Sequence, residues 1–196
     1  SFAREVADGH PTAVTIACRE EAYAVAVQAS LSTATFRCYT CSDVVGVELG
    51  GALKNVIAIA VGVCDGLGFG MNARAAVMTR GLREMSRLGI AMGADPMTFL
   101  GLAGTGDLWL TCTGDLSRNR RVGLALARGE ALADIVSGMN EVAEGIRTTE
   151  AACELGRRFG VELPIAAMVG ELIAGKITPE EGARRLMARQ LRSENE

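Results

Sequence analysis

At 196 residues the chain is long enough to bury one medium domain, or a small domain with part of another. Hydrophobic residues make up 49% and charged ones 22%, which excludes a disordered chain. A net charge of −3 excludes bulk attraction to nucleic acid or to an anionic membrane surface, leaving only local basic clusters as anion sites.

The opening residues, Ser1-Phe2-Ala3-Arg4-Glu5, offer neither an initiator Met nor a charged leader before an apolar run, so the chain reads as starting inside a longer protein. Ala13 to Cys18 is a short run with β-branched residues that suits a buried strand, and Glu20 to Leu31 reads as a helix. Phe36 to Thr40 alternates like a second strand. Two strands do not make a stable sheet, so residues 1–42 are expected to be the end of a larger α/β domain. Cys38-Tyr39-Thr40-Cys41 has C-x-x-C spacing, but no second pair or His cluster accompanies it, so no metal is expected there. The six scattered cysteines fit reduced thiols in a cytoplasmic protein. His10 is the only histidine, which excludes a His-based triad.

From Asp43 the strand signals stop, and residues 43–196 are expected to be all-α. Asp43 to Cys64 is apolar almost all round, as a helix buried among other helices would be. Its longest apolar stretch, Leu49 to Cys64, is broken by Gly50-Gly51 and Lys54-Asn55 and falls short of the roughly 20 residues of a spanning helix, so no membrane partner is expected. The glycine-dense Gly66-Leu67-Gly68-Phe69-Gly70 follows this helix and reads as a turn. Asn72 to Ile90 is amphipathic, Asp95-Pro96 is a cap followed by Pro at the first helical position, and Ser117 can cap a helix to about Arg128. Helices are expected near 131–137, 143–159 and 164–174, and Thr178-Pro179-Glu180-Glu181 starts a last one.

Three features carry chemistry. Lys54 is the only ionisable side chain other than Cys64 between Leu49 and Cys64. A buried ammonium costs several kcal/mol without a partner, and desolvation favours its neutral form, which suits proton transfer. The same lysine could instead snorkel to solvent or pair structurally. The adjacent Gly50-Gly51 would let another backbone or a cofactor approach closely. Ser117-Arg118-Asn119-Arg120-Arg121, at an expected helix start, offers backbone N–H groups, guanidinium forks and neutral donors to a phosphate, or is simply a solvated basic turn. Asp107, after Gly104-Thr105-Gly106, either caps a helix or orients the Lys54 ammonium or a substrate hydroxyl.

Together these segments resemble the bacterial-type NAD(P)-dependent glycerol-3-phosphate dehydrogenase family, nearly end to end. Ser1-Phe2-Ala3 is similar to the end of its Gly-Pro-Ser-Phe-Ala element, and Val47 to Ala58 to its catalytic-lysine helix. Asp65 to Arg74 and Thr79 to Leu82 follow its pattern. Gly106-Asp107 with Thr111-Cys112-Thr113, then Ser117 to Arg121, is similar to its substrate-site signature, and Val142 to Thr148 to its late cofactor-contacting element. The resemblance implies a Rossmann domain, of which residues 1–42 are a βαβ remnant, followed by an all-α domain of the 6-phosphogluconate dehydrogenase C-terminal type. It makes Lys54 the proton donor and acceptor at the substrate C2 oxygen and gives substrate contacts to Ser1, Lys54, Asp107, Ser117, Arg118 and Asn119. It gives cofactor contacts to Ala3, Arg118, Val142 and Glu144. The implied cofactor is NAD or NADP, the substrate pair dihydroxyacetone phosphate and sn-glycerol 3-phosphate, and the assembly a homodimer. The Gly-rich dinucleotide fingerprint is absent, so this polypeptide alone is not expected to bind NAD(P) productively. Two competing readings are a non-catalytic helical binding or oligomerisation module and a related β-hydroxyacid dehydrogenase. The Ser117–Arg121 cluster favours a phosphorylated substrate over the latter.

Overall fold

A computed structural model describes residues 2–139, 143–191, 193 and 194. It begins with a short helix that the sequence reading did not anticipate, α1 (Ala3–Ala7), followed by β1 (Thr12–Ala17), α2 (Glu21–Leu31) and β2 (Phe36–Cys41). The two strands pair in parallel, Thr12 opposite Phe36 through Ala17 opposite Cys41. β1 has no fully buried residue, and α2 buries only Ala24 while exposing Tyr23, Val25, Val27 and Leu31. An α/β unit normally covers both faces of its parallel sheet. Here the strands and helix leave apolar surface uncovered.

The helical part is built around α3 (Val44–Gly66), which buries Leu53 and the whole run Val56 to Val61. Asp43 starts it: its carboxylate accepts from the Gly46 amide at 2.9 Å, from the Asp95 amide at 2.9 Å and from Thr98 Oγ1 at 2.7 Å. One side chain thus caps α3 and ties down the segment that leads to Asp107. The helix is longer than the apolar stretch within it. At 23 residues it is, among the described residues, the one helix long and apolar enough to cross a membrane by length and composition, and most of it lies inside the protein. An all-apolar helix that is already surrounded by other helices is a core element.

Around α3 pack α4 (Met71–Ala91), α5 (Asp107–Thr113), α6 (Arg118–Ala127) and α8 (Glu144–Phe159), with α7 (Leu132–Ser137), α9 (Pro164–Ile173) and α10 (Pro179–Met187) outside them. The expected caps form: Asp95 accepts from the Met97 amide, Ser117 from the Arg120 amide and Thr178 from the Glu181 amide. No side chain of its own caps α9. Buried Glu84 of α4 does so from across the core, accepting from the amides of Ile165 (2.8 Å) and Ala166 (3.3 Å). Where α3 crosses α6, Gly62 and Gly123 meet backbone to backbone. A Cβ on either would fall inside the van der Waals envelope of the other helix, on the Arg120 carbonyl or the Ile59 carbonyl.

Candidate functional site

Lys54 and Asp107 come from elements 53 residues apart and meet as an ion pair, Nζ donating to Oδ2. Two local features make this meeting possible. The segment Leu102–Gly106 winds as a π-helical turn that runs directly into α5, so Gly106 holds the capping position in helical geometry and Asp107 is already inside the helix. The capping role for Asp107 is therefore set aside, and its carboxylate is available to the lysine. Gly50, one turn before Lys54, lets the Ala103 carbonyl of the same turn approach α3 where a Cβ would clash. The pair is neither buried nor solvated: the two side chains keep 18% and 20% of their exposure. An ammonium has three donors, and Asp107 takes one, so Lys54 faces the adjoining space with hydrogens to spare.

That space is a cleft of about 190 Å³ whose wall includes Lys54, Asp107, Ser117, Arg118, Asn119 and Glu144. Six of the nine residues singled out from the sequence therefore converge. Ser117 is buried, and its hydroxyl oxygen caps α6 while its proton is left to donate elsewhere. Arg118 is the first residue of α6 and partly exposed. Asn119 is buried and already engaged: its Oδ1 accepts from the Gly145 amide at 2.9 Å and its Nδ2 donates to Asn55 Oδ1 at 2.9 Å. This amide joins α3, α6 and the start of α8, leaving at most one hydrogen for a ligand. Glu144 opens α8 and is exposed. Ala3 stands exposed in the first turn of α1 and lines neither this cleft nor its neighbour, whereas Phe2 beside it lines both. Ser1 and Val142 lie outside the described residues.

The basic run does not act as one cluster. Arg120 turns away from the cleft, its Nε donating to Asp65 Oδ2 at 2.8 Å, and Arg74 donates to Asp65 Oδ1 through Nε (3.0 Å) and Nη2 (2.8 Å). Arg121 is exposed. That leaves Ser117 and Arg118 at the start of α6, where a helix N-terminus and a guanidinium stand together as an anion site would require. Asn55, to which the sequence reading gave no site role, and Thr111, which it noted only as part of the Gly106–Thr113 signature, also line the cleft. Asn55 follows Lys54, and a second polar residue in an apolar helix was a usable signal. Thr111 donates to the Asp107 carbonyl one turn back (2.6 Å).

A second cleft of about 500 Å³ adjoins the first, walled by β1 residues Thr12 to Thr15, by Val47 and Leu102 and by exposed Trp109. Phe2, Gly51, Asp107 and Leu110 border both clefts. All six cysteines are free. Burial pushes the Cys112 thiol up to about 12, which leaves it no thiolate with which to act as a nucleophile near neutral pH. Among the described residues, no three His, Cys, Asp or Glu side chains group as a metal site would require.

Comparison with known proteins gives a consistent picture. The family described as NAD-dependent glycerol-3-phosphate dehydrogenase C-terminus matches residues 43–184. Glycerol-3-phosphate dehydrogenase, NAD(P)+, of Solidesulfovibrio magneticus is 58% identical over 99% of this chain, and its counterpart in Citrifermentans bemidjiense is 57% identical over the same share. The chain spans only 59% and 58% of those relatives' lengths. Among solved structures, glycerol-3-phosphate dehydrogenase from Coxiella burnetii superposes with a TM-score of 0.93 at 40% identity, covering 96% of this chain and 58% of that one. The Plasmodium falciparum enzyme of the same name, at 18% identity and a TM-score of 0.88, shares the fold.

Proposed function

This chain belongs to the NAD-dependent glycerol-3-phosphate dehydrogenase family through its C-terminal part, and from that premise we propose that it carries the substrate-binding and proton-transfer half of such an enzyme. The reaction is reversible reduction of dihydroxyacetone phosphate to sn-glycerol 3-phosphate, feeding glycerophospholipid synthesis in the cytoplasm. Residues 1–42 are the end of the dinucleotide-binding domain and 43–196 the all-α domain. The family match beginning at residue 43 and the uncovered apolar face of α2 both support that division.

The observation that carries the reading is a single polar cleft with Lys54 at one side and the Ser117–Arg118 helix start at another. A phosphate held at the start of α6 positions the substrate carbonyl, so binding energy from the unreactive end is used at C2. Lys54 gives its proton to the C2 oxygen as charge develops there, and takes it back in the reverse direction. Asp107 holds the ammonium in place between turnovers. Asn119 and Asn55 fix the helices that carry these groups, and Ser1 completes the substrate contacts.

The residues present fit the reactive end of a nicotinamide dinucleotide. The larger cleft is within the usual size of a ligand site, is walled by apolar and aromatic side chains together with Glu5, Thr12, Thr15 and Asp107, and adjoins the Lys54 cleft at Gly51. NAD or NADP, when bound, supplies or accepts the hydride. Arg118 and Glu144, which line the smaller cleft, would reach it from that side, Ala3 and Val142 complete the expected contacts, and its phosphate-binding glycine turn would come from a segment outside this sequence. The protein works as a homodimer, with no membrane or nucleic-acid partner.

The test is the full-length protein given reduced dinucleotide and dihydroxyacetone phosphate, followed by loss of the dinucleotide's near-ultraviolet absorbance. Turnover is expected, with none from residues 1–196 alone. An inert full-length protein would leave the helical domain as a binding module. Turnover of an unphosphorylated β-hydroxyacid in preference to the phosphorylated ketone would point to that related class.

A further inference from the structure

Gly50 and Gly51 are neighbours on α3 with opposite surroundings. A Cβ on Gly50 would strike the Ala103 backbone, whereas a Cβ on Gly51 would meet nothing within 4 Å. Glycine inside a helix is less stable than alanine, so at Gly51 helix stability and packing both favour alanine, and the glycine answers some other demand. The empty space off Gly51 belongs to the site, because Gly51 lines both clefts. Along α3, Val47 lines only the larger cleft and Lys54 only the smaller, and Gly51 lies between them at helical spacing on one face. Gly51 is where the two clefts join on this helix.

We propose that Gly51 is the spacing residue of the reaction: its missing side chain keeps the passage open. Through it the planar nicotinamide ring in the larger cleft and the small phosphorylated ketone in the smaller one come into contact beside Lys54. This rests on the oxidoreductase reading above and deepens it. Side-chain volume at this position then sets the separation of hydride donor and acceptor. Transfer between held reactants is steep in distance, and a misplacement of about 1 Å can cost about 10²-fold in rate. The phosphate grip lies on α6 and is independent of that volume.

Three variants of the full-length protein test this: Gly50→Ala, Gly51→Ala and Gly51→Leu. Each is measured for its thermal midpoint, its calorimetric affinity for inorganic phosphate and for the reduced dinucleotide, and its kcat and KM. Gly50→Ala should lower the thermal midpoint, because its Cβ meets backbone. Gly51→Ala should keep or raise the midpoint and still lower kcat. Gly51→Leu should lower kcat by about 10²-fold, weaken the dinucleotide and leave phosphate affinity unchanged. Unchanged kcat in Gly51→Leu overturns the proposal. So does phosphate affinity that falls in step with kcat, or a loss of thermal midpoint at Gly51 matching that at Gly50. A parent protein with neither turnover nor phosphate binding overturns the oxidoreductase reading itself, and this proposal with it. Failure of the spacing role alone shows only in the variants.

Discussion

Helix α3 carries three charged side chains, Glu48, Lys54 and Asp65; the last two stand eleven residues apart, about 16 Å along its axis, and they are finished in different ways. Asp65 is the buried one, its side chain 8% exposed, and both its oxygens are taken by guanidinium groups of Arg74 and Arg120. Lys54 meets one carboxylate and opens into a polar cleft. The first arrangement is closed around the carboxylate, with both its oxygens matched, so it can hold helices together and do little else. The second is left incomplete on the ligand's side. A charge on a core helix is a candidate for chemistry when its surroundings satisfy only part of it.

Substitutions at these two positions of α3 should separate the roles. The largest effect is expected from Lys54→Ala, which should lower kcat by about 10²–10⁴-fold with a smaller change in KM. Steady-state kinetics of the full-length protein would show it, and near-normal turnover would remove Lys54 from the chemistry. Asp65→Asn should act on stability instead, by about 3–5 kcal/mol, because it strands two arginines around a buried site. If denaturant unfolding shows no loss, the contrast between closed and open clusters fails. Arg118→Ala should raise the substrate KM by about 10–100-fold, the value of a lost charged hydrogen bond, while Arg120→Ala should leave KM nearly unchanged. Equal effects of the two arginines on KM would restore the undivided basic cluster.

The smallest expected effect is a slope and not a step. Burial pushes the Glu84 carboxyl from 4.5 up to about 7, against the pull of the Ile165 and Ala166 amides and of Arg87 and Arg189. The folded chain therefore binds this proton more tightly than the unfolded one. Its contribution to stability falls as pH rises from about 4.5 to about 7 and is level above that. Glu84→Gln should flatten that part of the thermal midpoint against pH, and an unaltered profile would show that the carboxylate is not the titrating group.

Much of this was legible because the signals were local. Lys54 stood out as a lone charge in an apolar run, the caps at Asp95, Ser117 and Thr178 follow from short-range chemistry, and the change to all-helix at Asp43 is compositional. What stayed hidden depends on partners far along the chain. The residue types in Ser117–Arg121 do not by themselves tell Arg118 from Arg120, which only the resemblance separated, since the choice depends on which side α3 lies. Asn119 looked like a ligand donor, yet its amide is largely spent on Asn55, 64 residues away, and on Gly145. Asp107 had two open readings until the π-helical turn before it moved the capping position to Gly106. The identical letters Gly50 and Gly51 differ only in what stands opposite them.

The crossing of α3 and α6 at Gly62 and Gly123 has a mechanical consequence. Side chains yield by changing rotamer, but two helix backbones in direct contact have no softer mode than moving as one body. The lysine and the start of α6 therefore ride on two helices in backbone contact, so side-chain rotamers at the crossing do not set the distance between them. Tolerance to substitution should be correspondingly narrow at the crossing.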